Sequence, residues 1–296
     1  SLLISSLEES KFRIKYAFWD MNANITHKFS NENKLSLNVY GGRDAAKLIA
    51  GNDRQPDEAY RSKFLTEWGL ERGNLVTSID WDYKFASNHE TSLKVYYSMY
   101  DSLFGLYDDY YYEHYDYVEE TLTSTGNKSR TSGLGLKADF GYRPAENHHI
   151  RYGTALKCRF YNPVSFAIEN EKINGKLIYD KDNSQSSPRK SFESDLYIED
   201  EMTLTDWFTA NVGLRYSAIA TDGKWYHSVE PRAALRFQCG DYTDLKLSYS
   251  EMSQNSHLIS STYLQLPTSF WMPSTSKIAP SRSRQVAGGV YVNLPH

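Results

Sequence analysis

Residues 75–85 read Leu-Val-Thr-Ser-Ile-Asp-Trp-Asp-Tyr-Lys-Phe. Leu75, Ile79, Trp81, Tyr83 and Phe85 fall on one parity, while Ser78, Asp80, Asp82 and Lys84 fall on the other. A period of two puts alternate side chains on opposite faces of a β-strand. Ser87-Asn88-His89-Glu90 supplies turn chemistry, and Leu93, Val95 and Tyr97 carry a second strand back. This hairpin, apolar on one face and charged on the other, is the unit the rest of the chain repeats.

Leu134, Leu136, Ala138, Phe140 and Tyr142 alternate with Lys137, Asp139 and Arg143, and the return strand sets Ile150, Tyr152, Leu156, Cys158 and Phe160 against Arg151, Lys157 and Arg159. Further on, Leu196, Ile198 and Met202 alternate with Glu199 and Glu201, Val212 and Leu214 with Arg215, and Ala233, Leu235 and Phe237 with Arg232 and Arg236. The first strand, about Phe12 to Phe29, changes parity near Trp19, where a β-bulge is expected. The count is about eleven strands of about 11 to 16 residues, joined by tight turns at one end. Mostly long connections are expected at the other end, at about 43–66, in a second that contains 107–117, and at about 162–190 and 255–280, with Asp222-Gly223-Lys224 as a tight turn there.

Composition limits the classes available. Among 296 residues there are 24 Tyr, 13 Phe and 6 Trp, the formal net charge is −4, and no run nears the ~18 apolar residues of a membrane helix. A polar mean hydropathy of −0.62 does not separate a soluble sheet from a transmembrane barrel, whose strands are half polar. Charge is spread without a basic stripe, which gives no support for nucleic-acid binding. Cys158 and Cys239 lie at opposite ends of different strands and no CxxC is present, so neither a disulfide nor a metal site is expected. GxSxG and HExxH are absent. Gly133 and Gly135 sit inside a strand without a third glycine, so they read as small strand residues rather than a phosphate loop. No cofactor is expected and no catalytic set can be assembled.

A soluble sandwich also alternates. Strand length, loops segregated by side, and aromatics near strand ends with aliphatics between them favour an antiparallel up-and-down transmembrane β-barrel in outer-membrane lipid. A one-residue slip would turn Arg151, Lys157 and Arg159 to lipid at roughly 2–4 kcal/mol for a midplane Arg or Lys. The polar parity therefore faces a lumen: Asp80, Asp82, Lys84, Lys137, Asp139, Arg151, Lys157, Arg159, Glu199, Glu201, Arg215, Arg232 and Arg236.

Glu230-Pro231-Arg232, Tyr249-Ser250-Glu251-Met252-Ser253-Gln254 with His257-Leu258, and Pro267 with Trp271-Met272-Pro273 before Ile278 and Pro280 resemble the barrel of TonB-dependent outer-membrane receptors of the Bacteroidetes type. Weaker echoes are Gly73-Asn74 and Gly213-Leu214-Arg215. The resemblance implies energised import of a scarce ligand across the bacterial outer membrane. Its implied partners are a plug domain of the same parent chain and, through that chain, the TonB complex. Such a barrel has about 22 strands, so residues 1–296 are expected to be one portion of a single barrel domain. Neither a plug before Ser1 nor a terminal aromatic strand after Pro295-His296 is seen in this sequence.

Two stretches are candidates for ligand contact. Tyr107, Asp109, Tyr111, His114 and Tyr115 lie in a run of tyrosine and acid, and Trp271 stands between Phe270 and Pro273. Both also read as structure, a strand ladder above the membrane and a rigid loop anchor. A passive pore and a β-rich adhesion module are the alternatives of a different class.

Overall fold

The computed structural model describes residues 10–259 and 270–292. Pro267, Ser1 and Pro295-His296 lie outside the described residues. The chain forms β1 (Ser10–Lys28), β2 (Asn33–Asp57), β3 (Tyr60–Ala86), β4 (His89–His114), β5 (Tyr117–Ala145), β6 (His148–Ile173), β7 (Lys176–Asp182), β8 (Gln185–Ser186), β9 (Arg189–Thr205), β10 (Phe208–Thr221), β11 (Lys224–Gln238), β12 (Thr243–Gln254), β13 (Ser256–Ile259), β14 (Phe270–Pro273) and β15 (Ser281–Val292). Eleven of them lie side by side in the order β1-β2-β3-β4-β5-β6-β9-β10-β11-β12-β15, every pairing antiparallel. Strands β7 and β8 extend the sheet beside β6, and β13 pairs with β14 in a separate ribbon. The architecture is an up-and-down barrel sheet that does not close among the described residues.

Register explains why the faces differ. Ile25, Leu37, Ile79, Val95, Leu136 and Leu156 are successive cross-strand partners from β1 to β6. The next row, Thr26, Ser36, Asp80, Lys94, Lys137, Ala155, Asp195, Ser217 and Ser228, crosses from β1 to β11 on the opposite face. Ile25 is 67 % exposed and Leu214 47 %, so no second protein layer covers the apolar face among the described residues. In water a face of this extent would be an aggregation surface; hydrocarbon accounts for it. At the tight-turn end the same face carries paired rings, with Trp81 on Tyr83 at 5.8 Å, His89 on Tyr142 at 4.3 Å and Phe208 on Phe237 at 4.7 Å. They form the aromatic girdle of a barrel.

Three sequence expectations are corrected. No bulge occurs near Trp19, because β1 keeps one register from Ser10 opposite Asn52 to Lys28 opposite Lys34. The long connections at 43–66, 107–117 and 162–190 are mostly strand, so β3 reaches 27 residues and β5 reaches 29. Hairpins at that far end close through short turns at Tyr115-Asp116 and Asn174-Gly175, with positive φ at Tyr115, Asn174 and Gly175, as the turn expected at Asp222-Gly223 also does.

One physical cause underlies the first two corrections. Above the row of Trp19, Arg43 and Asp101 the polarity of the two faces inverts while the ladder continues. Inward positions become Phe12, Phe18, Leu48, Trp68, Leu70, Phe104 and Leu106, whereas the outward face carries Arg43 bonded to Glu71, Lys47 bonded to Glu67 at 2.6 Å and Lys63 near Asp109 at 3.5 Å. Hydrocarbon ends there, so the outer face can be charged. A pattern that reverses phase mid-strand reads as lost periodicity.

Candidate functional site

The polar face of the lower strands is held by ion pairs between neighbouring strands. Lys34 meets Asp82 at 2.9 Å, and Asp80 accepts from Asn38 at 2.6 Å and pairs with Lys94 at 2.7 Å. Lys137 meets Asp139 at 2.7 Å, and Arg151 meets Glu199 at 2.9 Å. Farther along, Asp195, only 3 % exposed, receives Arg215 at 2.5 Å, Lys157 at 3.3 Å and the Ser217 hydroxyl. A carboxylate this enclosed is tolerable only because its charge and lone pairs are all matched.

Two tyrosines lie flat against this wall because glycine stands opposite. A Cβ on Gly135 would come within 2.2 Å of the Tyr96 ring, and one on Gly153 within 2.9 Å of the Tyr197 ring. Tyr197 then donates to Asp139 at 2.5 Å. Glycine inside a strand is otherwise a weakness; here it makes room for the rings.

After Gln254 the chain leaves the sheet, and residues 255–259 and 270–280 lie across the wall as a strap; residues 260–269 lie outside the described residues. Its entry is fixed by Glu230, which accepts from Ser228 at 2.7 Å and from the Ser253 backbone N–H at 3.1 Å. Pro231, with no N–H to give, immediately precedes Arg232, where the ladder to β12 starts. Ser256 meets the Tyr161 hydroxyl at 2.6 Å and accepts from Arg159 at 2.8 Å, and Asn255 donates to Glu193 at 3.0 Å. The exit is tied to the β10–β11 turn: Asp222 accepts from the Ser276 N–H at 3.1 Å and its hydroxyl at 2.9 Å, and pairs with Arg189 at 2.9 Å. These bonds, the Ser276 N–H first, hold the Asp222 carboxyl below the usual carboxylate range.

Between strap and wall lies a cavity of about 550 Å³ lined by Tyr96, Lys157, Arg159, Tyr161, Glu193 and Trp271, among others. A second, of about 530 Å³, lies farther down and is lined by Lys137, Asp139, Arg151, Asp195, Arg215 and Arg232, with Tyr96 and Lys157 shared. Either is large enough for a small ligand. The arrangement offers cationic groups, aromatic faces and hydroxyls. Among the described residues no cluster of His, Cys, Asp and Glu could hold a metal ion.

Of the sequence candidates, Asp80, Asp82, Lys84, Lys137, Asp139, Arg151, Arg159, Arg215, Arg232 and Arg236 share this face by register. Trp271 joins them through the strap. The Tyr107–Tyr117 run is divided. Register puts Tyr107, Asp109 and Tyr111 on the outward parity, where Tyr111 donates to Glu113 at 2.8 Å and is raised above the usual phenol range by that bond. His114 faces inward in an edge-on group with Tyr60 and near Tyr112, and Tyr115 occupies the turn. The inward residues Tyr110 and Tyr112, and Tyr96, Tyr161, Glu193 and Asp195 below, were not singled out from sequence. The signal for the last four was their place on the charged parity.

A family model described as TonB dependent receptor-like, beta-barrel, matches residues 14–293. The solved structures similar to the chain include the ferric-catecholate import receptor Fiu from K12 E. coli in its closed form, at 8 % identity and TM-score 0.54, covering 95 % of this chain and 55 % of that one. The FpvAI–pyocin S2 complex gives 7 % identity and TM-score 0.50, covering 95 % and 46 %. The siderophore receptor PiuA from Acinetobacter baumannii gives 10 % identity and TM-score 0.44, covering 83 % and 49 %. At these identities the Fiu and FpvAI structures speak for the fold alone, and the chain spans about half the length of each of the three. No curated protein matches the chain. The match over nearly all of its residues, on a sheet with one lipid-suited and one ion-paired face, places the chain in the β-barrel family of TonB-dependent receptors, proteins of the bacterial outer membrane.

Proposed function

We propose that the chain forms part of the barrel of a receptor that imports a scarce ligand, such as a siderophore, corrinoid, glycan or peptide, into the periplasm. In this reading the Bacteroidetes-type motifs mark the barrel, a plug domain of the parent chain fills the lumen, and the TonB complex supplies the energy. The observation that supports this reading is a charged wall, on the side away from lipid, with a cavity of about 550 Å³ under the strap and another of about 530 Å³ lined by wall residues.

Ligand contact then falls to Trp271, Tyr96 and Arg159 at the strap, with His114 and Tyr112 higher on the same face. Tyr107, Asp109, Tyr111 and Tyr115 serve contacts at the outer rim of the hairpins. The test is growth of a strain lacking the parent gene on single iron, vitamin and glycan sources, repeated in a strain lacking the energy-transducing complex. Import predicts the same growth defect in both strains. Uptake that persists without the energy-transducing complex would establish a passive pore.

A further inference from the structure

The cavity under the strap has its floor in the middle of the sheet, on β3 to β6 and β9. Successive rows of cross-strand partners make that floor, Asn74, Tyr100 and Thr131 in one and Ser98, Gly133 and Arg159 in the next. Gly133 contributes no side chain, so the floor is hollow between Ser98 and Arg159. Three charged residues line the cavity, Lys157, Arg159 and Glu193. Their charges are matched within one network. Glu193 lies 3.7 Å from Lys157 and 3.8 Å from Arg159, Asp195 takes Lys157 at 3.3 Å and Arg215 at 2.5 Å, and Glu230 lies 4.0 Å from Arg215. Arg189, on the row above, is taken by Asp222 at 2.9 Å, and Arg232 lines the lower cavity instead. Three acids against Lys157, Arg159 and Arg215 leave this cavity no surplus positive charge.

What the cavity offers is uncharged. Asn74, Ser98 and Gln254 bring amide and hydroxyl groups, and Tyr96, Tyr100 and Trp271 bring rings. Thr131 and Asn255, the latter only 5 % exposed, belong to the same lining, and each holds a buried oxygen without a hydrogen bond. Leaving such an oxygen unpaired is costly, and a hydroxyl-rich ligand supplies the missing partner. An anionic metal chelate would need surplus cations, which the network does not leave. We propose that this cavity binds an uncharged saccharide unit, its hydroxyls on the polar groups and its apolar faces on the rings, and that Glu193 sets the preference by neutralising Lys157 and Arg159. In the importing receptor proposed above, on which this assignment rests, the ligand is then a neutral glycan.

The full-length receptor in detergent would be titrated by isothermal calorimetry with neutral tetrasaccharides of glucose, xylose, mannose and galactose, a tetragalacturonate, a ferric tricatecholate and tetra-alanine. At least one neutral tetrasaccharide should bind more tightly than the tetragalacturonate, the chelate and the peptide. Trp271→Ala should weaken that ligand about tenfold. Glu193→Gln keeps an acceptor for Asn255 but releases one positive charge, so it should tighten the tetragalacturonate about fivefold, a gain that loss of fold cannot mimic. Heat-modifiable gel mobility checks that each barrel is formed. Failure of every neutral tetrasaccharide to bind, tighter binding of the chelate or the peptide, equal affinity of wild type and Trp271→Ala, or no gain for tetragalacturonate in Glu193→Gln would each overturn the assignment and leave import standing. Uptake of the bound tetrasaccharide that persists in a strain lacking the energy-transducing complex would instead overturn energised import and support the saccharide site.

Discussion

Leu136→Arg isolates the claim that lipid wets the apolar face. Leu136 lies on β5 with Val95 and Leu156 as its cross-strand partners, and 45 % of its surface is exposed, so the substitution creates no large cavity. In a soluble protein an exposed Leu→Arg change on a strand usually costs within about 0.5 kcal/mol. At the midplane of a bilayer it costs about 2–4 kcal/mol, or roughly 30- to 700-fold in the folding equilibrium. Lys137→Leu, one residue away, removes the pair with Asp139, whose side chains are 46 % and 29 % exposed, and should cost about 0–1 kcal/mol. Phe85→Arg, within the girdle, should fall in the interfacial range of about 0–1 kcal/mol. The assay is urea-dependent folding of the full receptor into phosphatidylcholine vesicles, followed by tryptophan fluorescence. A cost below about 1 kcal/mol for Leu136→Arg, or a larger cost for Lys137→Leu, would refute the placement of lipid.

Three further outcomes are expected. Gly135→Ala would drive the Tyr96 ring off the wall, costing about 1–3 kcal/mol in the same titration and altering both cavities that Tyr96 lines. Asp195→Ala would leave Arg215 and Lys157 without their shared carboxylate in an enclosed site and should cost about 3 kcal/mol, whereas Ser217→Ala should cost only about 1 kcal/mol. The strap tether should depend on acid pH. Because folding lowers the Asp222 pKa, the tether's contribution is complete above the unfolded aspartate value, about 3.9, and is lost as pH falls through the lower folded value. A spin label at Thr275 should therefore gain mobility only at the acid end, and Asp222→Asn should show the mobile spectrum at neutral pH without that transition.

Strand identity was legible wherever lipid faces one side, since burial in hydrocarbon enforces strict alternation at positions such as Ile79, Leu136 and Leu214. It became illegible above Trp19, where Phe12 and Phe18 turn inward and Arg43 and Lys47 outward, because two media exchange sides on one uninterrupted ladder. Of the site, the charged wall could be read from parity. Seating of Ser256 on Tyr161 and Arg159 could not, since those contacts join residues some 95 positions apart and rest on hydroxyl groups that carry no pattern. The division of Tyr107 from Tyr112 follows from register alone, which a run of consecutive tyrosines conceals.

The most direct measurement is nitroxide accessibility at positions 134 and 136–139 of the full receptor in bilayers, using oxygen as the lipid-soluble relaxant and a nickel chelate as the aqueous one. The account predicts that Leu134, Leu136 and Ala138 collide with oxygen and exclude nickel, while Lys137 and Asp139 do not share that preference. Equal shielding of both parities from oxygen would mean that protein, rather than lipid, covers the apolar face, and would contradict the outer-membrane barrel itself.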